Sequence, residues 1–276
     1  MTERASWDAA ARTRASDRWA DAAVRWNKAM TDALLSSAAI TSDCAVLDLA
    51  AGSGDPALTI AARLSTGKVI ALDCSHTGLS LASTHAHKLG LESKIDFIQA
   101  DAHAMPLAQN SVDRVTCRCG VMFFNDTGLV MSEVLRVLRS SGRATFLVWG
   151  PFEQPFFEAT VATVLRFVPG AQMPPQAQAM FRFASPGSLE RVVRAAGFCN
   201  IQEKSLTVPR IWSGTSEELW AYQQEISTLC HPLFESIPAD LRTKVDTKVI
   251  SLLSRFQSGN VLSVPANIIV VAGQRS

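Results

Sequence analysis

Residues 46–56 read VLDLAAGSGDP, a short apolar run followed by an acid, a glycine turn and the first residues of a helix. No other stretch constrains the fold as tightly. Gly52 and Gly54 carry no Cβ, so the backbone can turn sharply there and let a ligand lie against the main chain. Asp55 is expected to cap the following helix, with Pro56 in its first position, where a missing N–H costs nothing. The turn then delivers helix N–H groups to a bound molecule, as nucleotide-binding folds do.

The glycine spacing alone, Gly52-x-Gly54-x-x-Ala57, also fits an NAD enzyme. The acids around it discriminate. Asp48 sits on the strand four residues before Gly52, where we expect its carboxylate to point into the pocket, repelling a pyrophosphate and attracting an α-ammonium group. Asp73 ends the next apolar run (KVIALD) at about the spacing where an acid meets ribose hydroxyls. Asp101 ends a third run (IDFIQAD). Acids at three successive strand ends suit a cationic adenosyl amino acid without phosphate, which is S-adenosylmethionine.

With these residues the chain resembles the class I S-adenosylmethionine-dependent methyltransferases, in particular the branch near the ubiquinone and menaquinone biosynthesis enzymes. The resemblance spans roughly 45–150, taking in the glycine loop, Asp73, Asp101-Ala102, the SVDRV strand and the helix EVLRVLRSSGR leading into TFLVWG. It implies that Gly52 and Gly54 flank the methionine part of the cofactor, with Asp48, Ala50 and Arg118 among the other cofactor-binding residues. It also implies that Asp73 holds both ribose hydroxyls and that Asp101, with Ala102 beside it, takes the adenine. Gly78 stands where relatives usually carry Met, so the apolar contact with adenine falls to Leu79 or Cys74. Cys119 replaces a bulky residue on the methionine side. The fold implied is α/β, a doubly wound, Rossmann-like, mostly parallel seven-stranded sheet with its last strand antiparallel, a helical cap and an N-terminal helix.

The residues themselves point the same way. Apolar runs at 45–49, 68–72, 95–99, 112–117 and 144–149 alternate with helix-like stretches at 56–65, 75–89 and 127–139, the pattern of parallel strands joined by crossover helices. Beyond Gly150 we expect one Phe-rich helix (PFFEATVATVLRF), a loop rich in Pro, Gln and Met, and a helix entered at Ser185-Pro186. A strand at 198–208, two helices within 215–258 and a last buried strand at NIIVVAG follow. Residues 41–276 then form the catalytic domain, with cap insertions at about 151–184 and 210–260. Residues 1–40 read as a helical segment able to serve as a lid, with Trp19 and Trp26 seven apart on one face and Trp7 off it.

A net charge of +1, from 26 basic and 25 acidic residues, gives no electrostatic reason for a nucleic-acid partner. The expected partner is a small-molecule acceptor, with a homodimer left open. The six cysteines form no CxxC pair and read as buried thiols, and no metal cluster is read. The first residues, MTERASWDAA, lack an apolar core, and no run approaches the length of a membrane span, so cytoplasmic residence is the default expectation.

Methyl transfer from a sulfonium depends on holding the nucleophile in line with the methyl group, and a base is optional. By position, the candidate bases are His103, His231 and Glu153. Trp19, Trp26, Met122, Phe123 and Tyr222 are candidate substrate contacts. O-methylation is the first expectation, with N- or C-methylation of a quinone-like or natural-product acceptor as the alternative. Two other classes stay open. An NAD(P)-dependent oxidoreductase would share the sheet, though this single-tyrosine chain offers no catalytic Tyr-Lys pair, and a non-catalytic cofactor-binding protein would keep the pocket without turnover.

Overall fold

The computed structural model describes residues 19–276, so Trp7 and the helical reading of 1–18 lie outside the described residues. In chain order the elements are α1 (Ala20–Ala38), β1 (Ala45–Leu49), α2 (Ala57–Arg63), β2 (Lys68–Asp73), α3 (His76–Lys88), β3 (Ile95–Gln99), β4 (Val112–Arg118), α4 (Thr127–Val137) and β5 (Leu138–Trp149). Then come α5 (Pro155–Ala159), α6 (Val161–Phe167), α7 (Pro175–Gln178), α8 (Ser188–Ala195), β6 (Cys199–Ser213), α9 (Ser216–Ile226), α10 (His231–Glu235), α11 (Ala239–Leu253), β7 (Gln257–Ser258) and β8 (Val261–Gln274).

The sheet runs β3-β2-β1-β4-β5-β8-β6. The first five strands are parallel, β8 is antiparallel to both its neighbours, and the two-residue β7 pairs with β8 as an eighth strand. The strand order reverses between β1 and β4, and such a switch opens a crevice at the carboxyl ends of the strands.

Alternate residues of each strand serve opposite layers, as the two-residue period requires. Leu47, Phe146, Val148, Ile269 and Val271 pack with α4 and α8 through Val130, Met131, Val134, Leu189 and Val193. Val46, on the other face, packs with α2 and α3 through Ile60, Ala61 and Ala86. Leu147, Ile268 and Val270 on that same face receive Met30 and Leu34 of α1. A second core gathers Trp26, Phe156, Trp212, Trp220, Phe234 and Val249 from α1, α5, β6, α9, α10 and α11.

Several local readings are revised. The Phe-rich stretch breaks into α5 and α6 at Thr160, whose φ of −103° and ψ of −86° are not helical. The segment expected as a plain loop contains α7 and a 3₁₀ turn at Ala179–Phe181. The cap region after β6 holds three helices rather than two: α9 ends at Ile226, and Pro232 and Pro238 stand at the starts of α10 and α11. The helix expected from Ser185-Pro186 starts at Ser188, after Gly187 in the left-handed region.

α1 is bound to the sheet over its whole second half. Leu34 is fully buried and Met30 nearly so. Arg114 Nε donates to Ala39 O at 2.8 Å and Arg143 Nε to Ser37 O at 2.7 Å, so cations from β4 and β5 meet the carbonyls at the helix end. Leu34→Ala is therefore expected to cost about 2–5 kcal/mol in urea unfolding, the range for a large-to-small change in a filled core. A loss below about 0.5 kcal/mol would mean that α1 rests on the sheet without being part of its core.

Candidate active site

A cavity of about 710 Å³ opens at the topological switch, well inside the range of small-ligand sites. Its floor comes from the ends of the parallel strands and the turns after them: Ala50 to Ser53 after β1, Leu72 to Ser75 at β2, Ala100 to His103 after β3, and Arg118 to Gly120 at β4. Met122, Phe123, Phe124 and Asn125 continue the wall, and Pro175, Gln176, Ala179 and Arg182 cover it. The cover therefore comes from within 151–184, and 210–260 contributes no wall residue.

Of the residues singled out for the cofactor, Ala50, Gly52, Asp73, Cys74, Asp101, Ala102 and Arg118 line this cavity, and Asp48 and Gly54 do not. Asp73 receives the Gly52 N–H and the Ser75 N–H, both at 2.8 Å. One carboxylate thus fixes the glycine turn and the entry to α3. Gly52 has φ +54°, and a Cβ there would touch no protein atom within 4 Å, so it would project into ligand space. Gly120 is needed for a different reason: a Cβ would lie 2.5 Å from Ala50 Cβ and 2.9 Å from Cys117 Sγ. Ala50 and Cys119 both adopt positive φ, 59° and 55°, strained values for residues with a side chain that cluster here at the cavity floor.

Asp48 corrects the sequence expectation. Its side chain is fully buried, and it receives Ala57 N–H at 3.0 Å and Thr116 Oγ1–H at 2.8 Å. It joins β1 to β4 and caps α2 from beneath, because its strand position points it under the turn rather than across it. Burial raises its pKa to about 7, and the nearby Asp55 carboxylate adds to the shift. Asp55, expected as the cap, instead receives hydrogen bonds from Thr31 and Thr59 at 2.9 Å each and pairs with Arg118. Arg118 also donates to Thr31 Oγ1 and to Asp55 O. Burial would lower the Arg118 pKa, but Asp55 and the neighbouring groups hold it above its ordinary value. Gly54 serves packing, since a Cβ would lie 2.9 Å from Leu58 Cδ1.

The candidate bases do not hold up as placed. His103 lines the cavity, but its Nδ1 meets Asp101 Oδ1 at 2.6 Å and its Nε2 receives the Asp126 N–H at 3.2 Å. The Asp126 donor sets the tautomer with the proton on Nδ1, leaving neither nitrogen to take one from a substrate. His231 is half-exposed beside Glu235, and Glu153 is exposed; neither touches the cavity. Met122 and Phe123 are in the wall, whereas Trp19, Trp26 and Tyr222 sit outside it in an aromatic cluster around Trp212. Trp19 and Trp26 do share one face, as their spacing implies. Among the polar residues that the sequence reading passed over are Thr31, beside the Asp55–Arg118 pair, and Ser75, Asn125, Gln176 and Arg182 in the cavity wall. Arg182 is visible in hindsight only through its place in a Pro- and Gln-rich insertion.

A Methyltransferase domain family profile matches residues 40–153. The demethylmenaquinone methyltransferase of Thermus thermophilus is 30% identical over 188 residues, which cover 63% of this chain and 81% of that one. This chain belongs to the class I S-adenosylmethionine-dependent methyltransferases. A ubiquinone/menaquinone biosynthesis C-methyltransferase of Rhizobium meliloti is 28% identical over 60% of this methyltransferase and 68% of its own length. Among solved structures, the YcgJ protein of Bacillus subtilis superposes with a TM-score of 0.57 at 22% identity, covering 89% of this chain and 97% of that one. The [4+2]-cyclase SpnF superposes with a TM-score of 0.55 at 17% identity, covering 88% and 79%. These two likenesses concern the fold.

The cofactor is S-adenosylmethionine, and the site fits it. The open space above Gly52 is a cradle that a side chain would fill. The first two N–H groups of α2 are already taken, Ala57 N–H by Asp48 and Leu58 N–H by Gly54 O, so neither is free to hold a pyrophosphate. No described helix is long and apolar enough to cross a membrane.

Two outcomes follow. Gly52→Val should remain folded, at a cost of roughly 1–2 kcal/mol for the left-handed backbone. It should bind S-adenosylhomocysteine at least about tenfold more weakly by calorimetry, a loss of roughly 1.4 kcal/mol; unchanged affinity would place the cofactor elsewhere. The second concerns Asp48, whose folded pKa lies well above the ordinary carboxylate range. The folded chain then binds the proton more tightly than the unfolded chain, so the stabilisation is complete below pH 4 and lost as pH rises towards 7. Relative to Asp48→Asn, the wild type should lose roughly 1.4 kcal/mol per pH unit across that window and level off above it. Parallel urea curves at every pH would contradict the shift.

Proposed function

We propose that this methyltransferase transfers the methyl group to a ring carbon of a small, flat, largely apolar acceptor of the quinol class. The observation that carries the reading is the chemistry of the wall. Each acid or imidazole in it with a described partner is engaged: Asp55 with Arg118, Asp73 with two backbone N–H groups, Asp101 with His103, and His103 with Asp101 and Asp126. Beyond the glycine turn the wall turns an apolar face, Met122, Phe123 and Phe124, to the ligand space, and the polar residues beside it, Asn125, Gln176 and Arg182, include no general base. Such a wall positions an electron-rich ring and excludes water, and it asks the acceptor to bring its own nucleophilic character. The relatives in Thermus thermophilus and Rhizobium meliloti, whose names specify methylation of demethylmenaquinone and C-methylation in quinone biosynthesis, support the same class.

The bound cofactor supplies an electrophilic sulfonium methyl. For its placement, Asp73 offers its carboxylate to the ribose hydroxyls, and Asp101 with Ala102 faces the adenine. Cys74 lies beside that ring, and Ala50, Gly52 and Arg118 border the methionine end. Of the other cofactor candidates, Asp48 and Gly54 act through the shape of the turn.

The test is transfer from cofactor labelled with ¹³C in the methyl group to reduced benzoquinols and naphthoquinols. Carbon spectra of the products should show aryl methyl groups with both hydroxyls retained. Methyl ethers as the sole products would establish the oxygen chemistry expected from sequence, and absence of transfer to any quinol would remove the acceptor class.

A further inference from the structure

Arg210 is a buried cation that the site described above does not use. It lies on β6, on the side facing α1, and is 6% exposed. Its guanidinium carbon stands 4.0 Å from the ring centroid of Trp26 and 5.2 Å from those of Trp149 and Phe156. One guanidinium nitrogen donates to Asn27 Oδ1 at 3.0 Å. Among the described residues no carboxylate lies within ion-pair distance of it, and its Nε–H is buried without an acceptor. The indole N–H of the adjacent Trp26 is buried and unpartnered as well.

A buried charge without a counter-ion is among the costliest arrangements in a protein interior. Burial, together with the like charge of Arg118, lowers the Arg210 pKa to about 9, which still leaves it cationic at neutral pH. The box around it contains donors, aromatic faces and the Tyr222 phenol, which acts on the charge, and among the described residues it holds no carboxylate. It stands behind the cavity floor: Cys119 lines the cavity, Cys119 and Trp149 pack on the same small core, and Arg210 stacks on Trp149.

We propose that Arg210 is the acceptor-recognition residue of this enzyme, its guanidinium taking an ionised ring oxygen in place of Asn27. The inference rests on the ring-acceptor reading above and deepens it. A fixed cation in a dry aromatic box stabilises a phenolate over a phenol, so the ring hydroxyl releases its proton to water on binding. The phenolate ring carbon then forms the bond to the methyl carbon as the sulfur–methyl bond breaks with its electron pair on sulfur. The hydrogen displaced from the ring carbon returns as a proton, through water, to the oxygen. Anion plus sulfonium give neutral methylphenol plus thioether. This accounts for a wall without an available base. It gives α1 a role in recognition, since Trp26 and Asn27 both belong to it.

Calorimetric titration of the full chain, saturated with S-adenosylhomocysteine, compares 1-naphthol with its ether 1-methoxynaphthalene, which has no hydroxyl to ionise. The wild type should prefer the naphthol. Arg210→Met should weaken naphthol binding at least about tenfold, roughly 1.4 kcal/mol, while ether and cofactor affinities stay within about twofold; Arg210→Lys should recover part of the preference. Equal binding of both probes by wild type and R210M overturns the proposal. A parallel loss of naphthol, ether and cofactor also overturns it, by showing a packing role. If R210M does not fold, R210Q carries the same three readouts. A wild type that selects naphthol through Arg210 but methylates no ring acceptor would keep the recognition and defeat the ring-methylation reading. Quinol methylation with an unchanged KM in R210M would do the reverse.

Discussion

The ion pair between Asp55 and Arg118 holds the site together. Asp55 belongs to the glycine turn, Arg118 to the end of β4, and Thr31 of α1 hydrogen-bonds to both. Three segments distant in sequence thus meet at one buried charge pair, whose side chains are 13–14% exposed. Pairs of this kind contribute little net stability compared with apolar packing, but removing one partner leaves an expensive orphan charge. The pair therefore specifies geometry more than it adds stability. With Asp48 below and Asp73 above, the turn is gripped from three sides before any ligand arrives.

That grip explains the strained backbone. Ala50 and Cys119 hold left-handed conformations at the ends of neighbouring strands, and Gly120 packs against Ala50 where no side chain would fit. Strain of this sort persists only where surrounding bonds over-determine it. Here the register of β1 on β4 and the Asp48–Thr116 hydrogen bond do so. The result is a cavity floor made mostly of backbone, shaped in advance for a ligand that lies flat on it.

The parallel half of the sheet was legible because its signals are local: Val46, Val69 and Val115 stand in short apolar runs, each bounded by a glycine or an acid. Asp73 and Asp101 were legible because strand ends point to the same crevice in every doubly wound sheet. Asp48 was misjudged because a strand residue's direction depends on twist and on what lies beneath the turn, neither of which spacing records. His103 looked available because its second partner is a backbone N–H at Asp126, which leaves no trace in composition. The cap was the least legible part. There the prolines at 232 and 238 start new helices where periodicity alone suggests fewer, and the covering segment has little pattern of its own. Arg210 shows up only once Leu206, Val208 and Trp212 are seen to share its side of β6.

The sheet order also bears on how the molecule is made. β8 lies between β5 and β6 and, among the described residues, is the sole neighbour of β6 in the sheet, yet it is the last described strand in chain order. As the polypeptide leaves the ribosome, β5 presents an open edge and β6 has no partner until residues 261–274 emerge. The five parallel strands can assemble early around β1, but the half that carries Arg210 and the second core must wait. During that interval two unpaired strand edges and the tryptophans of the cap are exposed together, the state in which a chain is most open to chaperones and most prone to misassociation.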